Sequence, residues 1–380
     1  MIASVTPDEL LRTRLRVVAE DLERARDLLD GFDDDECLPA SVRNPLRDLL
    51  DEQVMEAQRL DGRLHGSPSA SAWSGARLLR QDASRLLRET LDCLEAAFIR
   101  RQRLDAGLCE ISDRLLQSLA GSTRVTWLGT TIVGGDERFV RQSQLIHLRF
   151  PEFTIWALPL AAHEFGHVVA QELAVLGPDG TKYFPVADEL REMGDAAGQY
   201  GELFSDVFAT WALGPAYACT ALLLRFTPDR DDGGASHPPD ARRVAVTLGM
   251  LEQLSRERDR IALPYHPVLA LLRETWAQAR GAAGRLPLEA EAEEELRIWR
   301  ERVIVPLLKR RMPASQYDGW AQALRLSETL CSDEPLRRDP PVRVADVLNA
   351  AWIARLNHWP DRARIQRIER RARALCEVPS

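Results

Sequence analysis

The sequence predicts a mainly α protein with a small antiparallel β-sheet, an α+β arrangement, and three observations lead there. Apolar residues recur at helical spacing through most of the 380 residues. The period changes between residues 124 and 150, where β-branched and aromatic residues are concentrated. An apolar helical segment at 158–173 follows, and it contains His163-Glu164-Phe165-Gly166-His167.

The N-terminal region, 1–120, reads as successive helices. Thr6-Pro7-Asp8-Glu9 is a helix start, with a cap, proline at the first position and acids in the first turn. Leu10, Leu11, Leu15, Val18, Leu22, Leu28 and Leu29 then form an apolar face, and Gly31 ends it before the acidic turn 33–36. A second helix is expected at 44–64, a loop at 66–71, and one or two helices at 76–119 with Leu78, Leu79, Leu86, Leu87, Leu91, Leu94, Phe98 and Leu104 inward. Strands are expected at 124–133 and 144–150 with Gly134-Gly135-Asp136 as the turn, and His147 facing solvent or a cleft.

Pro159 marks the start of the His-Glu-x-x-His helix and 177–180 its stop. A short helix is expected at 187–193, and a loose loop at 228–239. Further helices are expected at 241–258, 267–279, 288–311, 316–330, 344–356 and 362–375. The chain is thus divided into a helical region at 1–120, a core at 121–245 and a second helical region at 246–380.

Composition narrows the function classes. With 45% hydrophobic and 28% charged residues the chain can bury its own core without disulfides. A net charge of -8 argues against nucleic acid as a partner. Lys182 and Lys309 are the only lysines, and the arginines are spread among acids as on solvated helix faces. Cys37, Cys93, Cys109, Cys219, Cys331 and Cys376 are scattered, as reduced thiols of a cytoplasmic protein are, and residues 1–20 hold no apolar run of signal-peptide length. Residues 207–224 carry no charge and reach the lower limit for a membrane span, but Gly214-Pro215 interrupts them; they read as a buried, broken helix.

The chemistry concentrates at His163 and His167, one helical turn apart, so both imidazoles can reach one ion. Glu164 lies beside them, placed to take a proton from a metal-activated water. Such a site needs a third ligand. Glu202 and Asp206 share one helix face among Leu203, Phe204, Val207 and Phe208, and two carboxylates in so apolar a helix need partners. Glu202 is read as the ligand and Asp206 as acceptor for the free ring nitrogen of a ligating histidine. Glu172, Asp188 and Asp195 stay open as alternative ligands. Tyr200 and His237 are candidates for stabilising an anionic intermediate, ahead of Tyr265 and His266.

His163-Glu164-Phe165-Gly166-His167 followed by Glu202-Leu203-Phe204-Ser205-Asp206 resembles the signature of the gluzincin zinc metallopeptidases. Ser236-His237-Pro238-Pro239-Asp240-Ala241-Arg242-Arg243-Val244 resembles an element of the CAAX prenyl protease and heat-shock membrane protease branch. The resemblance covers about residues 155–245. It implies a zincin-like catalytic core wrapped by the flanking helices, His163, His167 and Glu202 as zinc ligands, Glu164 as general base, and His237 and Arg243 near the site. The expected activity is zinc-dependent hydrolysis of peptide bonds in a protein or peptide substrate, with room for a regulatory protein partner and no membrane attachment. The alternatives are a catalytically silent regulatory protein that keeps the zinc fold, and a membrane-associated peptidase.

Overall fold

The computed structural model describes residues 6–32, 37–64, 69–134, 138–140, 145–149, 154–176, 181–192, 198–230, 233, 237–258, 265–336 and 342–377. It is about 75% helical with a small mixed sheet. The expected turns at 33–36 and 177–180, residues 66–68 of the loop expected at 66–71, and Asp195 lie outside the described residues.

Three helices come first: α1 (Pro7–Asp30), α2 (Ala40–Gly62) and α3 (Ala70–Arg101). Thr6 caps α1 as expected: its side chain accepts from the Glu9 amide, and the Glu9 carboxylate accepts from the Thr6 amide at 2.8 Å. α2 begins four residues before the expected start and carries Pro45 within it. The region expected to run on to 119 breaks near Gly107, which has φ of 79°, and resumes as α4 (Leu108–Thr123).

Three strands follow, β1 (Thr130–Gly134), β2 (Arg138–Val140) and β3 (Leu145–Arg149), in the order β1-β3-β2. The expected two-stranded antiparallel hairpin is therefore corrected to a mixed three-stranded sheet. Arg138-Phe139-Val140 is too short for periodicity to separate from a connection, yet it supplies an edge strand.

The chain divides into two compact units, the first comprising Met1–Ala106, Leu128–Gly135 and Val140–His147. In this unit Leu22, Leu29, Leu38, Val42, Leu46 and Leu50 are fully buried together with Leu86, Cys93, Ile132 and Leu145. Leu10, Leu28, Leu78, Leu91, Phe98 and Leu104 were expected inside but are exposed. α1 and α3 each bury one stripe, narrower than the full set of their apolar positions. His147, expected at solvent or a cleft, is buried on β3 beside Gly134, where a Cβ would lie 2.8 Å from its Nδ1.

The second unit comprises Gly107–Trp127, Asp136–Phe139 and Leu148–Ser380. Its central helices are α5 (Leu160–Glu172), α7 (Gln199–Leu213) and α9 (Asp240–Arg258), with α7 packed between the other two. A hairpin of β4 (Val175–Leu176) and β5 (Lys182–Tyr183), not foreseen, and α6 (Pro185–Glu192) connect α5 to α7. Phe165 of α5 packs on Phe208 of α7, which stacks on Phe204, and all three are buried.

The charge-free run at 207–224 is buried as far as Leu222 and broken, as expected: α7 ends at Gly214, with φ of 57°, and α8 (Pro215–Thr220) starts at Pro215. The break frees backbone groups, and Asn349 meets two of them. Its Oδ1 accepts from the Ala216 amide and its Nδ2 donates to the Leu213 carbonyl, each at 2.9 Å. Among the described residues no helix is long and apolar enough to cross a membrane.

α10 (His266–Ala282), α11 (Ala290–Trp299), α12 (Val305–Arg311), α13 (Trp320–Cys331), α14 (Val344–Asn357) and α15 (Arg362–Cys376) complete the unit. The single helix expected at 288–311 is interrupted by a π-helical turn at Arg300–Ile304. Pro306 explains it, since its ring cannot donate and crowds the carbonyl four residues earlier.

Candidate metal centre

Glycine at position 166 sets the distance between the two helices that carry the site. A Cβ there would lie 2.7 Å from the Ser205 Cα, so only glycine allows α5 and α7 to approach this closely. The crossing places the α5 histidines opposite the α7 carboxylates. His163 Nε2 stands 3.3 Å from Glu202 Oε2, and His167 Nε2 stands 3.3 Å from Glu202 Oε1. Among the described residues, His163, His167 and Glu202 bring one ligand atom each to within 4.8 Å of one another.

Behind them, His163 Nδ1 lies 2.9 Å from Asp206 Oδ1. That contact holds the Nδ1 proton and leaves Nε2 for the Glu202 side. Arg243, from the first turns of α9, donates to both Asp206 oxygens, through Nε at 2.8 Å and Nη2 at 2.9 Å. Tyr217 on α8 donates its hydroxyl to Asp206 Oδ1 and lays its ring parallel to that of His163, with centroids 6.3 Å apart. Asp206 is fully buried, and Glu202 and Arg243 nearly so.

The electrostatics follow from this burial. Burial disfavours a charged His163, but Asp206 and Glu202 outweigh it and bring its pKa up to about 9. Burial would raise the Glu202 carboxyl, yet His163 and His167 hold it well below the usual range. Asp206 is likewise lowered against burial, by Arg243 and His163, while burial and Asp206 push the Tyr217 hydroxyl far up. The two carboxylates thus favour the protonated form of His163. A divalent cation at the same point would displace that proton, because a ligating imidazole is neutral.

These residues open onto a cleft of about 310 Å³. Glu164 lines it beside the histidines, with His237, Arg138, Phe139 and Arg225 also on its walls. Two imidazoles and one carboxylate facing such a cleft are a donor set suited to zinc with a position left open to solvent.

The structure therefore brings together His163, Glu164, His167, Glu202, Asp206, His237 and Arg243. His237 stands at the exposed rim, its Nε2 3.5 Å from Glu202 Oε1. Arg243, expected near the site, is there and bonds Asp206. Tyr200 is not brought in: its hydroxyl donates to Glu295 Oε1 at 2.8 Å, its ring packs on Trp299, and it is not among the cleft-lining residues. Tyr200 lies two residues before Glu202 and so projects from a different face of α7, toward Trp299 and Glu295 of α11. Of the alternative ligands, Glu172 is exposed and Asp188 bonds Arg191 and the Phe184 amide. Tyr265 is buried against Trp320, and His266 is exposed at the start of α10.

Sequence reasoning missed Tyr217, Arg138 and Arg225. The one phenol in the run 207–224 marks Tyr217, since a buried phenol needs a partner. Arg138 and Arg225 carry no such mark. Comparison with protein-family models, with curated proteins and with solved structures gives no match.

Proposed function

We propose that the chain is a zinc-dependent metallopeptidase of gluzincin type that hydrolyses peptide bonds in a protein or peptide substrate. The observation that carries this reading is the meeting of His163, His167 and Glu202 beside Glu164 on one open cleft, with Asp206 behind His163. A purely structural metal site would close its fourth position and would not need a carboxylate next to it.

His163, His167 and Glu202 would hold the ion. Zinc supplies Lewis acidity toward a water molecule and a substrate carbonyl when bound. Glu164 takes the proton from the attacking water and returns it to the leaving amine. Asp206 fixes the His163 ring and offsets the charge that it gains as a ligand. Arg243 and Tyr217 hold Asp206 in place. His237, at the mouth, donates to the oxygen on which negative charge develops.

Metal analysis and cleavage assays test this reading together. Wild type and Glu164→Gln are each expected to hold one zinc per chain, Glu202→Ala to hold less, and wild type alone to cleave unfolded casein. Full zinc in Glu202→Ala, or undiminished cleavage by Glu164→Gln, overturns the assignment.

A further inference from the structure

A second cleft, of about 490 Å³, lies between α9, α10 and α11 and shares no lining residue with the first. Its volume suits a small organic ligand. Five arginines line it, Arg273, Arg280, Arg285, Arg297 and Arg300, against two glutamates, Glu252 and Glu293. Most of this charge is already committed. Arg273 pairs with Glu252 at 2.6 Å, Arg297 with Glu294 and Glu301, and Arg280 donates to the carbonyls of Leu286 and Pro228.

Arg300 is different. Its side chain is only 7% exposed, and its Nε is buried with no hydrogen-bond partner. The acid it reaches is Glu301, at 3.2 Å, which Arg297 already binds at 2.7 Å. The guanidinium rests on Gly249, where a Cβ would lie 1.8 Å from Nη1, so α9 is recessed to admit it. Burial lowers its pKa, and Glu301 and Glu252 offset only part of that. A buried cation with so little compensation is costly unless something neutralises it.

We propose that this cleft binds a small amphiphilic anion, with a carboxylate or phosphate head on the Arg300 guanidinium and an apolar body against Leu248, Trp276 and Leu288. The planar guanidinium suits a two-oxygen head. Those three side chains line the cleft beside it and give the body a surface to leave water.

The test titrates the full chain by calorimetry with decanoate, decyl phosphate, decanol and decylammonium, each below its micelle concentration. One site per chain is expected for decanoate or decyl phosphate, whichever head fits better, with at least tenfold weaker binding of decanol and none of decylammonium. Arg300→Met is expected to weaken the anion tenfold or more while keeping or raising the thermal midpoint of the unliganded protein. Ala277→Trp, at an exposed lining position, is expected to fill the cleft and abolish binding with the circular dichroism spectrum unchanged. Decanol binding as tightly as decanoate, no binding of either anion, or unaltered anion affinity in Arg300→Met overturns the proposal. Zinc content is read in parallel and is expected to be the same in every variant, so failure here is distinguishable from failure of the peptidase reading.

Discussion

Asp206 Oδ1 lies 2.9 Å from His163 Nδ1, and the same carboxylate is held by two donors of Arg243. Three helices thereby meet at one buried charge. Asp206→Asn is expected to lower zinc affinity by roughly 10- to 100-fold, the usual consequence of losing a carboxylate behind a ligating histidine. It also leaves Arg243 buried beside a neutral side chain, a loss of about 3–5 kcal/mol by comparison with broken buried pairs. Asp206→Asn combined with Arg243→Met is expected to be less destabilised than the sum of the single variants in urea denaturation. Strict additivity would show that the pair acts separately.

The close approach at Gly166 makes a second expectation. Gly166→Ala places a methyl 2.7 Å from the Ser205 Cα, so α5 and α7 must move apart. A loss of about 1–3 kcal/mol is expected from overpacking, together with weaker zinc binding, because the histidines and Glu202 sit on opposite sides of that contact. Unchanged stability in a denaturant titration would mean that the helices separate freely.

The two tyrosines near Glu202 in sequence separate cleanly in space. Tyr217→Phe removes a buried donor from Asp206 and is expected to cost about 1–3 kcal/mol and to weaken zinc binding. Tyr200→Phe loses a bond to an exposed Glu295 and is expected to leave zinc content and cleavage at wild-type levels. A large fall in cleavage by Tyr200→Phe, with zinc retained, would return Tyr200 to the catalytic site.

Away from the candidate metal centre, the acid limb of stability has a defined contributor. Burial would raise the Glu252 carboxyl, but Arg273 and Arg256 hold it below its ordinary value of 4.5. A carboxyl lowered on folding contributes stability above its unfolded pKa and loses it as pH falls through the lower folded value. Glu252→Gln is therefore expected to flatten the pH dependence below about pH 4.5, with a change under ~1 kcal/mol at neutral pH because the pair is partly solvated. Identical acid unfolding curves for wild type and variant would exclude Glu252 as the source.

Much of the helical layout was legible because apolar spacing is a local property. The capping box at Thr6, the break at Gly214-Pro215 and the helices at 344–356 and 362–375 needed only neighbouring residues. Where the reading failed, a distant partner decided. Leu78, Leu91 and Phe98 have helical spacing, yet the face that α3 buries is chosen by the elements packed on it. The sheet order β1-β3-β2 is invisible in the strands themselves, since pairing is a contact between segments.

The sequence by itself determined the pieces of the candidate site: His163 and His167 one turn apart on a helix, Glu164 beside them, and Glu202 and Asp206 one turn apart on another. Helical periodicity orients side chains within an element and says nothing about which elements meet. Only the tertiary structure decided that Gly166 lets α5 close on Ser205, that Arg243 and Tyr217 converge on Asp206, and that Tyr200 turns away. The physical reason is that a buried carboxylate must be neutralised by whatever donors the packing brings to it, and those donors come from helices far along the chain.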